Sequence, residues 1–221
     1  MKKADVAYYP SYVEVDEIHK IDESVNVKAI PAYIFENIEW RGYDFESRRD
    51  IMFIGGFAHR PNVDAVKWLA SELLPRLVKL IPDIKVHVLG SNPPKEVLEL
   101  ANENLIMEGF VTDEQLEAFY LNSRISLIPL RYGAGIKGKV VEAMRYGTPV
   151  VTTSIGSEGI PNAESAMLVE DDVDKLAAEL ARLYEDKERL IYFSQNSVAY
   201  VKNNYSPDNA INVIGKDFGI E

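Results

Sequence analysis

A parallel α/β sheet flanked by helices is the fold class this sequence predicts, and three observations predict it. Apolar runs of strand length alternate with stretches of helical periodicity over most of the chain, as expected where crossover helices join parallel strands. Glycines close several of those runs, where a strand hands over to a loop. The 221 residues are 47% hydrophobic and 27% charged, enough apolar material for the core of one or two domains.

In chain order, strands are expected near Asp5–Tyr9, Val27–Ile30, Asp50–Gly55, Lys85–Leu89, Leu105–Glu108, Ile125–Ile128, Val150–Thr152 and Met167–Val169. Helices fill the gaps. The one after Asn62 carries Val63, Val66, Trp68, Leu69, Leu73, Leu74, Leu77 and Leu80 as a broad apolar stripe. Thr112 and Gln115 form a capping box for a helix over Asp113–Asn122. After Asp171 and Asp172, another helix places Val173, Leu176, Ala177, Leu180, Leu183 and Tyr184 on one side. Residues 1–34, with two strand-like runs and one helix, are too few for a core of their own and must pack on something larger. Residues 35–49 are polar and aperiodic, with Trp40 and Tyr43 as aromatic anchors, and read as a linker. A complete Rossmann-like unit follows over 50–205, and 206–221 form a C-terminal helix or tail.

The most informative stretch runs from Pro129 to Val151. Gly133, Gly135 and Gly138 let the backbone bring its N–H groups close to a ligand, and Lys137 and Lys139 add positive charge. A helix starting near Gly138 points its unpaired amides and positive dipole end into the same loop, which favours an anion such as phosphate. Glu142, one turn inside that helix, would repel phosphate and instead suits paired hydroxyls such as those of a ribose. Gly147 and Pro149 end the helix before the strand at Val150. Glycine loops also occur at such junctions without any ligand, so the rest of the chain must agree.

Composition removes several chemistries. With 24 basic and 35 acidic residues the net charge is −11, which disfavours nucleic acid as a partner. The absence of cysteine excludes disulfides, thiolate catalysis and zinc–sulfur sites, and His19, His59 and His87 are scattered, so no metal is expected. No apolar run approaches the roughly 20 residues of a membrane span, and the N-terminus lacks a signal core. The sequence reads as cytoplasmic.

Ligands of doubly wound sheets bind at the carboxyl edge of the strands. Loops expected on that rim are Gly55-Gly56, Gly90-Ser91-Asn92, Gly109-Phe110-Val111, Gly133–Lys139 and Ser154–Gly159. Glycine turns there could hold phosphate and sugar while backbone near Val111 contacts a base. His59 and Tyr132 flank these loops and are more readily read as a solvated histidine and a packing wall, and Glu158 and Glu164 as surface residues.

The order Phe53-Ile-Gly-Gly-Phe, Val88-Leu-Gly, Glu108-Gly-Phe-Val, Glu114-Gln-Leu, Pro129-Leu, Glu142-Ala-Met and Gly147-Thr-Pro-Val-Val resembles the carboxyl half of glycosyltransferase family 4. The resemblance covers about Asp50 to Tyr205. It implies a GT-B donor-binding domain, in which two Rossmann-like domains face a cleft, and a retaining transfer of a hexosyl group from a nucleoside-diphosphate sugar without metal or other cofactor. Residues 1–34, with Asp5-Val-Ala-Tyr-Tyr-Pro-Ser11 and Val27-Lys-Ala-Ile-Pro31, look like the end of the acceptor domain. Most of that domain is then missing, and with it the site for a glycan or lipid-linked acceptor and any peripheral membrane contact. The isolated chain would bind nucleotide and transfer little.

The same resemblance assigns Glu142 to the ribose hydroxyls. The family's first motif Glu, which approaches the donor sugar, falls here on Ala134, leaving the amides of Gly135 and Ile136 to hold the sugar or distal phosphate. Gly56 and Pro61 occupy the positions of a diphosphate-binding Arg and Lys. Arg60 and Lys139 are the candidates to replace them, with Lys139 favoured over Lys137. The expected donor-binding set is therefore Gly55, Gly56, Arg60, Val111, Gly133, Gly135, Ile136, Lys137, Lys139 and Glu142. Ala134 also motivates an alternative, a non-catalytic nucleotide-sugar sensor or assembly module, and a scaffold without ligand is the third reading.

Overall fold

The computed structural model describes residues 4–219. Met1–Lys3 of the first piece and Ile220 and Glu221 of the tail lie outside the described residues. Two parallel sheets are present. The smaller pairs β1 (Ala7–Tyr9) with β2 (Val27–Ala29) across helix α1 (Tyr12–Ile21). The larger holds β3 (Arg49–Ile54), β4 (Val86–Leu89), β5 (Leu105–Gly109), β6 (Ser123–Ile128), β7 (Val150–Thr152) and β8 (Met167–Val169). Its order is β5-β4-β3-β6-β7-β8, with every pair parallel. The order reverses between β3 and β6, which opens a crevice at their carboxyl ends.

The crossover helices follow from the expected stripes. Helix α2 (Arg60–Trp68) runs through a π-helical turn, Leu69–Leu73, into α3 (Leu74–Leu80). The stripe reads as one continuous helix, but Pro75 has no N–H to give to the carbonyl one turn back. The widened turn before it, with Leu74 N–H bonded to Leu69 O, accommodates the proline. Val63, Val66, Leu69, Leu73, Leu74 and Leu77 are buried, whereas Leu80 at the frayed end is 54% exposed. Helix α5 (Asp113–Asn122) carries the expected capping box, with Thr112 and Gln115 bonded reciprocally. Helix α8 (Val173–Glu185) is N-capped by Asp172 and packs on α3. Helix α6 (Gly138–Arg145) packs on the long helix α9 (Lys187–Asn204), while α4 (Lys95–Leu98) and α7 (Ser154–Ser157) are single turns after β4 and β7.

Two strands begin before their apolar runs. Arg49 pairs opposite Ser123, so the β3–β6 ladder starts with polar residues. Arg124 is buried there because carbonyl oxygens satisfy its guanidinium: Nε donates to Arg48 O, Nη1 to Tyr184 O and Nη2 to Phe45 O. Its cationic face also lies 4.1 Å from the Phe45 ring centre and 4.6 Å from that of Tyr184. Residues 35–48 contain no helix or strand and are fastened to this end of the sheet. Ile38, Tyr43 and Arg48 are buried, Tyr43 Oη donates to Arg124 O at 2.9 Å, and Trp40 Nε1 donates to Ser194 Oγ at 2.9 Å.

Helix α10 (Pro207–Phe218) returns to the small sheet. Asp217 accepts a hydrogen bond from Tyr8 Oη at 2.6 Å and pairs with Lys28 Nζ at 2.5 Å. The chain's last helix thus holds its first β-α-β unit. Among the described residues no helix is long and apolar enough to cross a membrane.

Candidate functional site

The crevice between β3 and β6 is lined by the loops after those strands and by the first turns of α2 and α6. Asn62 joins the two sides. It is 5% exposed, its Nδ2 donates to Gly56 O at 2.8 Å, and its Oδ1 accepts from Lys139 Nζ at 2.6 Å. Gly55 makes room for it, since a Cβ there would lie 2.6 Å from Asn62 Cγ. The Lys139 ammonium, rooted on α6, is thereby carried across to the start of α2, and it lies 4.7 Å from the centre of the Phe53 ring. Burial, with a smaller contribution from Lys137, pulls its pKa down to about 7. Among the described residues its polar partner is a neutral amide, and no carboxylate compensates its charge.

Lys137 is engaged differently. Its ammonium donates to the carbonyls of Gly133 and Gly135 and pairs with Glu158 Oε2 at 3.0 Å. It folds the glycine loop around itself, with Gly133 at φ +124° and Gly135 at φ +78°, conformations that side-chain-bearing residues rarely adopt. Glu158, expected on the surface, is therefore this lysine's counter-charge, a pairing invisible across 21 positions of sequence. Lys137 also occupies the N-cap position of α6 without capping it through its side chain, which leaves the helix's first amides directed into the loop.

Glu142 is partly buried one turn further on. Its Oε2 accepts from Tyr120 Oη at 3.2 Å. Tyr120 is fully buried, stacks on Tyr146 at 5.0 Å between ring centres, and has its pKa raised well above the ordinary value by burial first and by Glu142 second. The phenol stays a donor and fixes one carboxylate oxygen, leaving Oε1 for a ligand. Asn62 and Tyr120 were missed by sequence reasoning because each is recognisable only through a partner on a distant element.

The other expected residues stand further out. Arg60 is exposed on the first turn of α2, beside His59, which precedes that helix without capping it. Val111 follows β5, one of the two edge strands, two strands away from β3, and packs partly buried against the core. Ile136 turns its side chain toward Gly159, where a Cβ would sit 2.7 Å from Ile136 Cγ1. Tyr33, which sequence reasoning also passed over, lays its hydroxyl against the start of α6, 2.5 Å from where a Cβ of Gly138 would be. Gly55, Gly56 and Lys139 thus meet through Asn62, and Gly133, Gly135 and Lys137 form the adjoining cradle.

The sequence profile of the glycosyl transferases group 1 family matches residues 48–186, the segment that builds this crevice. The chain belongs to that family. An uncharacterized 44.6 kDa protein in the cps region of Klebsiella pneumoniae is 27% identical over 176 residues, which cover 76% of this chain and 45% of that protein. The phosphatidyl-myo-inositol mannosyltransferase of Mycolicibacterium smegmatis is 28% identical over 151 residues, 66% of this chain and 38% of that enzyme. This group 1 chain therefore spans less than half the length of the curated relatives it matches. Its fold is that of GT-B glycosyltransferases: a variant of S. aureus TarM, solved with fondaparinux, alpha-GlcNAc-glycerol and UDP, superimposes with a TM-score of 0.77 at 14% identity, over 99% of this chain and 44% of TarM.

Proposed function

We propose that this group 1 glycosyltransferase chain is the donor-binding half of a retaining enzyme that transfers a hexosyl group from a nucleoside-diphosphate sugar. The observation that carries the reading is the Lys139 ammonium held across the crevice by Asn62, a neutral partner with no carboxylate beside it among the described residues, which leaves its charge to be met by an anion. A diphosphate placed there would face Lys139, the amides of the Gly133–Lys137 loop and the start of α6 together. Glu142 Oε1, with Oε2 held by Tyr120, would accept from the ribose hydroxyls. Departure of the diphosphate breaks the bond between the sugar's anomeric carbon and the phosphate oxygen, and the acceptor oxygen bonds to that carbon on the same face. The acceptor's proton passes to the leaving phosphate oxygen. Lys139 and the loop amides stabilise the charge that develops there, with Arg60 at the rim, and this chemistry calls for no metal.

UDP in the TarM structure supports the ligand class, and the cps-region relative supports a role in polysaccharide synthesis. The acceptor, a glycan or a lipid-linked glycan, would bind outside this chain, with the reaction on the cytoplasmic side. Ala134 favours the second reading, a sensor that binds the nucleotide sugar without transferring it. Donor turnover by the full-length protein separates the two. Calorimetric titration with UDP, GDP, ADP and CMP tests the binding both share. One diphosphate should bind at about micromolar strength, and Glu142→Ala and Lys139→Ala should each weaken it about tenfold to a hundredfold. Full affinity in Glu142→Ala would sink the ribose assignment, and no affinity for any nucleotide would sink the site.

A further inference from the structure

Helix α1 belongs to the small β-α-β unit, yet one of its side chains reaches the glycine loop. Ser11 caps the helix by accepting from Val13 N at 3.2 Å, and Glu14 follows in the first turn. Glu14 Oε2 is buried and has no hydrogen-bond partner among the described residues. Glu14 Oε1 lies 3.9 Å from the point where a Cβ on Gly135 would be. The loop's own cation is engaged elsewhere, since Lys137 is bound to two loop carbonyls and to Glu158. Neither Ala134 nor Gly135 brings a polar side chain to this point.

An ionised carboxylate is an acceptor with room for several donors, and burial without them is costly. What is missing beside Glu14 is therefore a set of donors. A phosphate supplies none and carries the wrong sign, whereas the hydroxyls of a sugar are neutral donors of suitable reach. We propose that Glu14 accepts hydrogen bonds from hydroxyls of the glycosyl group of a nucleoside-diphosphate sugar seated on the Gly133–Lys137 loop. The carboxylate absent from position 134 is supplied from the small unit, and α1 selects a sugar-bearing donor over the bare diphosphate. This inference rests on the donor-site reading given above.

The test is calorimetry on the chain and its Glu14→Ala and Glu14→Gln variants. The probes are UDP with UDP-glucose and UDP-N-acetylglucosamine, GDP with GDP-mannose, and ADP with ADP-glucose. Glu14→Ala should bind the preferred diphosphate within about twofold of the parent and lose about tenfold in affinity for its sugar conjugate, Glu14→Gln losing less. Neither variant should lower the melting temperature, because each replaces a half-buried carboxylate whose Oε2 is buried without a hydrogen-bond partner. Equal losses for diphosphate and conjugate, or a lowered melting temperature with no selective loss, would mark Glu14 as structural and overturn the proposal. A conjugate affinity indifferent to both substitutions overturns it as well, while the diphosphate site stands. If the unaltered chain binds none of the diphosphates, the donor-site reading fails and takes this inference with it.

Discussion

Lys139 shows how far a residue's behaviour departs from its type. In the unfolded chain it titrates near its ordinary value of 10.5, and in the fold near 7. Its folded pKa is depressed, so the unfolded state binds more protons between these values and stability rises with pH across that window. Below about pH 7 the fold carries the full cost of the buried charge, and Lys139→Met should raise the melting temperature there, a shift readable by calorimetry. Ligand binding runs the opposite way. A diphosphate favours the charged ammonium, so affinity should fall by up to about tenfold per unit as pH rises from about 7 to about 9, with uptake of a proton on binding. Affinity independent of pH over that range would remove Lys139 from the diphosphate. Tyr120 acts one step back, on Glu142. Tyr120→Phe should weaken nucleotide binding several-fold while costing about 1 kcal/mol of stability in chemical denaturation; unchanged binding would leave its hydroxyl with a packing role alone. The glycine loop, its lysines and Glu142 are legible in the sequence because they fall within ten consecutive positions. Asn62, Tyr120 and Glu158 are not, because nothing local distinguishes an amide, phenol or carboxylate whose partner arrives from another element.

Elements were easier to read than partnerships. The strands of the large sheet centre on apolar residues, deeply buried over Ile51–Phe53 of β3 and Val150–Thr152 of β7, and such runs stand out in sequence. The departures have local causes: Pro75 forces the π turn before α3, and Arg124 extends β6 because carbonyls and aromatic faces replace the water it loses. The junction of β3 with α2 depends on a void as much as on a side chain. Gly55 leaves the space that Asn62 fills, and a Cβ there would meet three atoms of the amide within 3 Å. Gly55→Ala should displace Asn62, cost about 1–3 kcal/mol, and reproduce much of the binding loss of Lys139→Ala, since the ammonium loses its guide. A variant of unchanged stability and unchanged nucleotide affinity would show that the crevice relaxes around the methyl group.

At the scale of the molecule, two bodies of unequal strength share one chain. The six-stranded sheet is covered by helices and holds most of the buried apolar residues, whereas β1 and β2 have three residues each and, among the described residues, only Val15 and Val27 as buried apolar side chains in their unit. A two-stranded sheet of that size does not stand alone. It is held by α10 through Asp217, and the segment that leaves β2 is fastened to the end of α9 by Phe35 N donating to Tyr205 O at 2.8 Å. The composition of residues 1–34 announced their dependence on a larger body, but not that the chain's other end would provide it, because the tie spans 189 positions. Hydrogen exchange should therefore find β1, β2 and α10 opening together, faster than β3 and β6, as a separate cooperative unit. Asp217→Asn weakens the Lys28 pair and should speed exchange throughout that unit while leaving β3 and β6 unchanged. Because Glu14 belongs to it, the same substitution should lower affinity for a sugar-bearing donor more than for the bare diphosphate. Uniform acceleration over both sheets would mean instead that the chain opens as a single body.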